Sequence, residues 1–411
     1  MLLSVCLITK DEERFLAGCL ESVLAVADEI VVVDTGSTDR TVEIARHHGC
    51  RVVQRPWDDD FSAARNAGID LARGRWILCM DADERLCHPE ALPPALLAAP
   101  PEVGGFFIER HDLVTRFDEG DRDVYPIGIL RLFRNHEAIR YEGIVHERPN
   151  ETIIRAGFEV RGLATLKLIH LVSQLPQERL IAKQEGYLRL LDRELERDAD
   201  NAWARYYRGK TLWFLGRREE AECELRGIVE NAGAPVPLRA SAGCMLAALL
   251  SEVGHCGEAV SRVEESLALL PGQSLAYYVL AETLYAAGHF EHALSAYLRV
   301  RLSMDPEAER SPLPGDLCMT REKRAYKLGC CHLALGDLAA AGTWFQSGLE
   351  ADPAHGGCHY GLARTALLRG DHAGARERLE AALRHDPLWR MPRELPAELT
   401  REERLESAPK V

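Results

Sequence analysis

The pattern of apolar and polar positions changes along the chain and divides it into two parts. In the first ninety residues, short apolar runs alternate with segments whose apolar residues recur at helical spacing. Strands are predicted at residues 4–8, 30–33, 51–54 and 76–80. The run at 30–33 is continuous and β-branched, which is typical of a strand buried on both faces. Strands that alternate with helices predict a mainly parallel sheet.

The segment from about residue 100 to 172 has a different pattern. Residues 105–108 and 127–133 are predicted strands, and the polar stretch 112–123 lies between them. No helical segment of comparable length separates the two strands. This segment is therefore interpreted as a β-rich annex on the first sheet rather than as an independent domain.

From about residue 176 the pattern is helical and periodic. A glycine followed five residues later by an alanine occurs five times, at Gly216/Ala221, Gly254/Ala259, Gly288/Ala293, Gly336/Ala341 and Gly370/Ala375. By subtraction, successive glycines are 38, 34, 48 and 34 residues apart. Two intervals equal the period of the tetratricopeptide (TPR) repeat, and 48 is that period plus an inserted loop at 305–316. Five helix pairs in a solenoid are predicted, with small residues allowing close packing.

Composition narrows the possible classes of protein. The 411 residues carry a net charge of −14, which argues against a nucleic-acid binder. No apolar run is long enough to span a bilayer, so no transmembrane segment is predicted. The twelve cysteines contain no CxxC pair and are interpreted as reduced thiols. A cytoplasmic location is therefore expected.

Acidic residues follow two of the predicted strands. Asp81 and Asp83 form a DxD sequence after the strand at 76–80, and Asp34 follows the strand at 30–33. Ligands of parallel sheets bind beyond the carboxyl ends of the strands, where these residues fall. Two carboxylates on one turn suit Mg²⁺ or Mn²⁺, which prefer hard oxygen ligands. An isolated DxD is weak evidence for a metal site, because acidic turns are common. Asp34 at a second strand end and the nearby Arg65, which could pair with a phosphate, favour the functional interpretation.

These residues also carry a resemblance. The chain resembles the family 2 glycosyltransferases of the GT-A fold at residues 4–12, 33–39, 64–68 and 80–84. Residues 131–134 and 141–147, with the repeats that follow, resemble the bacterial subgroup that fuses this catalytic domain to TPR repeats. Neither GxGxxG nor GxxxxGK occurs, so Rossmann dinucleotide binding and P-loop hydrolysis have no support.

The resemblance implies roles for individual residues. The donor-binding residues would be Thr9, Asp11, Asp34, Arg65 and Asp81. Asp83, with Asp81, would serve a divalent cation, Mn²⁺ or Mg²⁺, and transfer would invert the anomeric centre. Many members of the family have asparagine where Asp11 stands, which leaves the role of Asp11 open.

The catalytic base of an inverting transfer is expected on the acceptor side, in the annex. The candidate carboxylates there are Glu109, Asp112, Glu142 and Glu147. Glu147 is chosen because a glycine at 143 precedes two reactive side chains, His146 and Glu147. His146 would complete the metal shell or contact the diphosphate. For His170, a place in the core and a place in the active site remain equally open.

The sequence thus predicts an α/β GT-A-like domain with a β-rich annex, followed by an all-α TPR-like solenoid. The predicted divisions are 1–98 for nucleotide-sugar binding, 99–175 for the acceptor-side annex, 176–390 for the repeats and 391–411 for a disordered tail. The expected reaction moves a sugar from a nucleotide-sugar to a peptide, protein or glycan acceptor. Asp34 could accept a hydrogen bond from uracil, which favours a UDP-sugar.

The repeats are expected to dock the acceptor or a protein partner, or to mediate self-association, because a solenoid offers binding surface and no chemistry. Two alternatives remain open. One is a TPR scaffold whose transferase domain is inactive. The other is a sugar nucleotidyltransferase, although residues 9–13 lack the glycine-rich basic loop of that class.

Overall fold

A computed structural model describes residues 1–115, 122–171, 177–303 and 316–385. The predicted loop at 305–316, apart from Asp316, and the predicted tail at 391–411 lie outside the described residues. Within the described part, no helix combines the length and the apolar character that crossing a bilayer requires.

The N-terminal part contains one eight-stranded sheet. Its strands are β1 Leu3–Thr9, β2 Glu29–Asp34, β3 Arg51–Gln54, β4 Trp76–Met80, β5 Glu84–Cys87, β6 Val103–Thr115, β7 Arg122–Arg134 and β8 Glu159–His170. The order across the sheet is β3-β2-β1-β4-β7-β6-β8-β5. The first four strands are parallel, as predicted, and β7 joins β4 in the antiparallel direction.

Helices cover both faces of the parallel half. They are α1 Leu16–Glu21, α2 Thr41–His47, α3 Phe61–Ile69, α4 Leu92–Ala98 and, later in the chain, α5 Asn150–Arg155. All five residues of β4 are buried, as are the last five of β2. Burial on both faces explains why these strands are continuous apolar runs rather than alternating ones.

The predicted annex is confirmed as an extension of the first sheet. Strands β6 and β7 form a long antiparallel hairpin, and β8 pairs in parallel with β6. The sequence did not indicate β8 or the short β5, which pair with each other. Strand β8 ends at His170, and the backbone N–H of Leu171 donates to the carbonyl of Asp83 at 2.9 Å. The last strand of the annex therefore ends beside the DxD turn.

The C-terminal part is helical. A leading helix, α6 Gln177–Arg197, precedes five helix pairs. The pairs are α7 Ala202–Phe214 with α8 Arg218–Glu230, α9 Val236–Glu252 with α10 Cys256–Leu269, α11 Ser274–Ala286 with α12 Phe290–Arg299, α13 Arg321–Ala334 with α14 Leu338–Ala351, and α15 Gly356–Leu368 with α16 His372–His385. The predicted solenoid of five pairs is confirmed in these described residues.

The periodic glycines and alanines have different roles. Each of the five glycines follows the first helix of its pair with φ between 75° and 83°, the left-handed conformation that ends a helix. A Cβ at these positions would meet no atom within 4 Å. The glycines therefore do not mediate close packing of the helices, contrary to the sequence prediction. The five alanines are fully buried and fill that role.

The solenoid contacts the sheet domain in two regions. In the first contact region, Leu190, Leu191 and Ala204 pack against Ile144 and Val145. This cluster joins α6 and α7 to the loop between β7 and α5.

The second contact region lies between the third and fourth helix pairs. Ser303 Oγ donates to Glu109 Oε2 at 2.6 Å, and Cys318 N donates to the carbonyl of Pro126 at 2.9 Å. Leu317 also forms an antiparallel bridge with Ile127 of the β6–β7 hairpin. The residues that flank the predicted insertion, Ser303 on one side and Leu317 and Cys318 on the other, are therefore where the solenoid returns to the annex.

Candidate functional site

Three parallel strands end side by side at one edge of the sheet. Thr9 ends β1 and pairs in register with Asp34, which ends β2. Asp81 follows β4, which pairs with β1 on its other side. Residues that are far apart in sequence are thus adjacent because the carboxyl ends of parallel strands share an edge.

Asp34 is buried and organises the loop after β2. Its carboxylate accepts hydrogen bonds from the backbone N–H groups of Gly36 and Ser37 at 3.2 to 3.3 Å. The side chain is 1% exposed. These bonds fix the carboxylate at the strand end.

The side chains of Thr9 and Asp11 differ in whether they already have hydrogen-bond partners within the protein. Thr9 is buried, and its Oγ1 has no hydrogen-bond partner among the described residues. A buried hydroxyl without a partner is costly and suggests a ligand atom at this point. Asp11 instead accepts from Thr38, at 2.7 Å from the backbone N–H and 3.1 Å from Oγ1. Its carboxylate therefore supports the turn after β2, and its predicted contact with the donor remains untested.

Asp81 is held by two arginines. Its Oδ1 accepts from Arg65 Nη2 at 2.7 Å and its Oδ2 from Arg131 Nη2 at 2.6 Å. Burial opposes the charged form, but Arg131 and Arg65 outweigh it and keep the pKa of Asp81 well below its usual value. Both oxygens already have cationic partners that would compete with a metal ion. A role of Asp81 as a metal ligand remains a prediction, and Asp83 becomes the stronger candidate.

Arg65 is more deeply placed than the sequence suggested. It is 6% exposed, and its Nε donates to Glu147 Oε1 at 2.5 Å while Nη2 donates to Asp81. Its Nη1 is buried without a partner in the described part of the chain. Arg65 therefore positions two carboxylates, and any contact with a donor phosphate would fall to Nη1.

Asp83 belongs to a second chain of contacts. Its Oδ2 lies 3.3 Å from His170 Nε2, and His170 Nδ1 lies 2.7 Å from Asp112 Oδ1. Arg110 pairs with Asp112 at 2.8 Å. Burial lowers the pKa of His170, but the bonds with Asp112 and Asp83 outweigh it and raise the pKa to about 9. His170, undecided from sequence, therefore lies in the candidate site.

Whether a divalent cation fits this arrangement depends on the ligands that lie near Asp83. The described residues contain no group of three or more His, Cys, Asp or Glu side chains that could hold a metal ion alone. Asp83 and His170 do face each other at the strand edge. Mg²⁺ and Mn²⁺ are commonly bound by one or two protein ligands together with substrate phosphates and water. The residues present therefore fit a cation that is shared with a diphosphate.

Glu147 lies on a tightly constrained segment. Gly143 and His146 have φ values of 98° and 55°. Ser62 Oγ donates to the carbonyl of Gly143 at 2.6 Å, and Phe61 N donates to the carbonyl of Ile144 at 2.9 Å. The glycine at 143 thus permits a fixed turn against α3. This turn places Glu147 against Arg65.

His146 packs between the two parts of the chain. Its ring stacks on Tyr207 of α7, with centroids 4.1 Å apart, and contacts Tyr187 of α6 at 5.2 Å. Burial lowers the pKa of His146 to about 3, so the ring is neutral at physiological pH. This packing favours a structural role, and the predicted contact with a metal or diphosphate remains untested.

The other candidate bases have different surroundings. Glu142 is exposed and pairs with Arg155 on the outside of the annex. Glu109 accepts the bond from Ser303, and Asp112 is bonded to His170. Glu147 and Asp112 therefore lie in the two contact chains around the DxD turn, whereas Glu142 does not.

Sequence reasoning missed two residues near Asp83. Burial, followed by the negative charge of Asp83, raises the pKa of Glu12 to about 7. Glu12 is the last residue of the segment 4–12 that carries the family resemblance, so its position gave a signal. Lys183 on α6 interacts electrostatically with Asp83 and Asp81. It lies 100 residues after Asp83 on a helix outside the recognised motifs, so nothing in the sequence pointed to it.

Solved structures give a loose similarity. The chain is similar to the crystal structure of YrrB, described as a TPR protein with an unusual peptide-binding site, with a TM-score of 0.38 and 17% identity over 51% of this chain and 97% of that chain. For the crystal structure of MamA the TM-score is 0.35, with 14% identity over 44% of this chain and 94% of that chain. Scores this low imply nothing about function.

Curated relatives are similar to part of the chain. A TPR repeat-containing protein of Synechococcus elongatus is 39% identical over 152 residues, 37% of this chain and 36% of the relative. Glycosyltransferase SunS of Bacillus subtilis is 27% identical over 227 residues, 55% of this chain and 52% of the relative. The chain thus spans about a third to a half of these two relatives.

A third relative is matched over most of its length. The lipopolysaccharide core biosynthesis glycosyltransferase LpsC of Rhizobium meliloti is 27% identical over 56% of this chain and 86% of the relative.

Sequence models of known families match both parts. Residues 4–110 match glycosyl transferase family 2. Residues 202–226, 244–309 and 332–392 match tetratricopeptide repeats. These matches confirm the predicted glycosyltransferase domain and the predicted repeats. The chain therefore carries a domain of glycosyl transferase family 2 that is followed by an array of tetratricopeptide repeats.

Proposed function

We propose that the protein is an inverting glycosyltransferase that moves a sugar from a UDP-sugar to a hydroxyl of a peptide, protein or glycan acceptor. The observation that carries this proposal is the shared strand edge, where Asp34, Asp81 and Asp83 lie together. A nucleotide and its diphosphate need a group that reads the base and, close to it, a cation that balances the diphosphate; Asp34 would serve the first need and Asp83 would hold the cation.

A divalent cation would be held by Asp83 together with the phosphates of the donor, while His170, bonded to Asp112 and Asp83, would orient the Asp83 carboxylate. When bound, the cation would supply positive charge that stabilises the departing diphosphate. Asp81 would contact the sugar or ribose, because its two arginines fix its orientation. Thr9 and Asp34 would contact the nucleoside at the ends of β1 and β2.

Transfer then requires a base on the other side of the sugar. The base takes the acceptor hydroxyl proton as that oxygen attacks the anomeric carbon. The bond from this carbon to the diphosphate breaks on the opposite face, which inverts the centre. Glu147 is proposed as the base because it lies in the annex, beside Arg65 and hence beside Asp81.

Donor identity is tested with a panel of UDP-, GDP- and CDP-sugars in the presence of Mn²⁺. A ligand at a hundredfold excess over its Kd stabilises the fold by about 2.7 kcal/mol, which a thermal shift detects. Sugar transfer or slow donor hydrolysis supports the proposal. Release of pyrophosphate from a sugar phosphate and a nucleoside triphosphate would instead identify a nucleotidyltransferase. Absence of binding and turnover across the panel would favour a scaffold.

The nucleoside contact leads to a specific prediction. Replacing Asp34 with alanine should weaken binding of a UDP-sugar about tenfold or more, because loss of one partner of a buried hydrogen bond costs about 1–3 kcal/mol. Calorimetric titration of the purified variant measures this change.

Asp58→Ala is the control for this experiment, since Asp58 is half-exposed and pairs only with Arg55 on the surface. Because Asp34 also holds Gly36 and Ser37, Tm of the variant should be measured in parallel. Equal affinity of the wild type for UDP, GDP and CDP donors would contradict base recognition by Asp34.

We further propose that the repeats dock the acceptor. The two contact regions place α7, Ser303 and Leu317 along the annex, which is the acceptor side of the proposed site. An acceptor held by the solenoid would therefore be close to the transferred sugar. A cut near Asp198 would remove Ala204 and Tyr207 and disturb the segment that carries Glu147.

A shorter deletion avoids this problem. Ending the chain at Asp352 removes the pair α15–α16, and because each repeat of a solenoid contacts only its neighbours, only α13–α14 loses packing. Donor hydrolysis should be unchanged, whereas transfer to the physiological acceptor should fall by about tenfold, equivalent to 1.4 kcal/mol of lost docking. Gel filtration and Tm show whether the shortened protein is folded. Unchanged transfer by a folded protein would assign this pair another purpose, such as self-association.

A further inference from the structure

The leading helix α6 starts at the edge of the candidate site. Strand β8 ends at His170, which contacts Asp83, and Leu171 N donates to the carbonyl of Asp83 at 2.9 Å. Helix α6 begins six residues later, at Gln177. Its middle packs through Leu190 and Leu191 on the segment that carries Glu147. The first half of α6 therefore passes between the DxD turn and the first contact region.

Lys183 lies on this half of α6 and faces the site. It is one helical turn before Tyr187, and its Nζ lies 5.9 Å from the centre of the Tyr187 ring. That ring in turn contacts His146 at 5.2 Å and Phe61 at 5.9 Å, so its position is fixed by the site segment. The face of α6 that carries Lys183 and Tyr187 is thus turned toward the catalytic domain.

The amino group of Lys183 forms no ion pair with a carboxylate of the described residues. Its side chain is exposed, and no acidic oxygen of the described residues forms an ion pair with it within 4.0 Å. Asp83, Asp81 and Glu12 nevertheless lie within electrostatic range of it. Asp81 already has two arginine partners and Asp83 has His170. Lys183 therefore places a positive charge near the site without forming an ion pair with a described carboxylate.

We propose that Lys183 binds the diphosphate of the nucleotide donor, from the side opposite the sheet. This inference rests on the proposed function and adds that the helix leading into the repeats completes the donor site. A diphosphate brings negative charge next to Asp83, and an ammonium group is a suitable point charge for it. The donor site would then be built from both parts of the chain rather than from residues 4–110 alone.

The test compares UDP with uridine on the full-length protein. Lys183→Gln should weaken UDP binding about 10- to 100-fold, the range for a lost hydrogen bond to a charged group. Uridine binding, measured by saturation-transfer NMR, should not change, because uridine lacks the diphosphate. Lys183→Arg should retain most of the UDP affinity. Calorimetry in MnCl₂ and in EDTA should show the loss under both conditions, since the contact does not pass through the cation.

Arg189→Gln is the matched control, because Arg189 is an exposed cation on the same helix and its removal changes the net charge equally. UDP binding by this variant should match that of the wild type. Equal UDP affinity of Lys183→Gln and the wild type would overturn the inference and leave the proposed function standing. An equal loss in the Arg189 variant would also overturn it. A wild type that binds none of UDP, GDP and CDP would overturn both.

Discussion

Replacing Asp83 with asparagine should reduce sugar transfer by about 10³-fold, which corresponds to about 4 kcal/mol of lost transition-state stabilisation. The amide keeps the size of the side chain but removes the charge that a divalent cation needs. It can still form a hydrogen bond with His170 Nε2, now 3.3 Å from Asp83 Oδ2, so the fold should persist. Initial rates with a saturating UDP-sugar, measured across a Mn²⁺ titration, check this result.

Asp70→Asn serves as the control, since Asp70 is 59% exposed and pairs with Arg140 away from the strand edge. Its rate should equal that of the wild type. Removing the cation with EDTA should reproduce the Asp83→Asn loss in the wild type and add little in the variant. Full transfer by the wild type in EDTA would show that the reaction needs no divalent cation.

Replacing Glu147 with glutamine should lower turnover by roughly 10²- to 10⁴-fold, the range for loss of a general base. Glutamine can still meet Arg65 through its amide oxygen, so the segment should keep its turn. If Glu147 is the base, the donor Kd should change little. Turnover and donor Kd are therefore measured together, by steady-state kinetics and calorimetry.

Two roles of Glu147, as the general base and as a support for Arg65, can be separated by experiment. Loss of support for Arg65 would weaken donor binding and lower Tm, because Arg65 also holds Asp81. Glu151→Gln is a suitable control, as Glu151 is 43% exposed and pairs with Arg148 nearby. Near-normal turnover of the Glu147 variant would move the assignment of the base to Glu109 or Asp112.

The parallel half of the sheet was predictable because its strands and the acidic residues at their ends are adjacent in the sequence. Strands β2 and β4 each contain a continuous apolar run, and each run is followed directly by the acidic residue that lies at the shared edge. Knowing that the strands are parallel was enough to bring Asp34 and Asp81 together. The mainly parallel sheet and the five helix pairs followed from patterns of this kind, whereas the GT-A-like fold was implied by the family resemblance.

Contacts between distant segments were not predictable in the same way. Strand β8 carries charged and glycine residues among its apolar ones, and it is stabilised by pairing with β6 and β5 rather than by its own pattern. Without β8, nothing placed His170 beside Asp83. Arg65 was assigned to a phosphate because its partner Glu147 is 82 residues away. Lys183 was missed for the same reason.

The second contact region also limits how this array can gain or lose repeats. Ser303, Leu317 and Cys318 meet the β6–β7 hairpin only because three helix pairs span the distance from the first contact region. Duplicating or deleting a pair before residue 303 would carry these residues away from the hairpin, since each repeat adds a fixed step and rotation. The pairs α13–α14 and α15–α16 follow this attachment and are under no such restriction. Relatives of this chain should therefore vary in length after the third pair and keep a constant number of pairs before it.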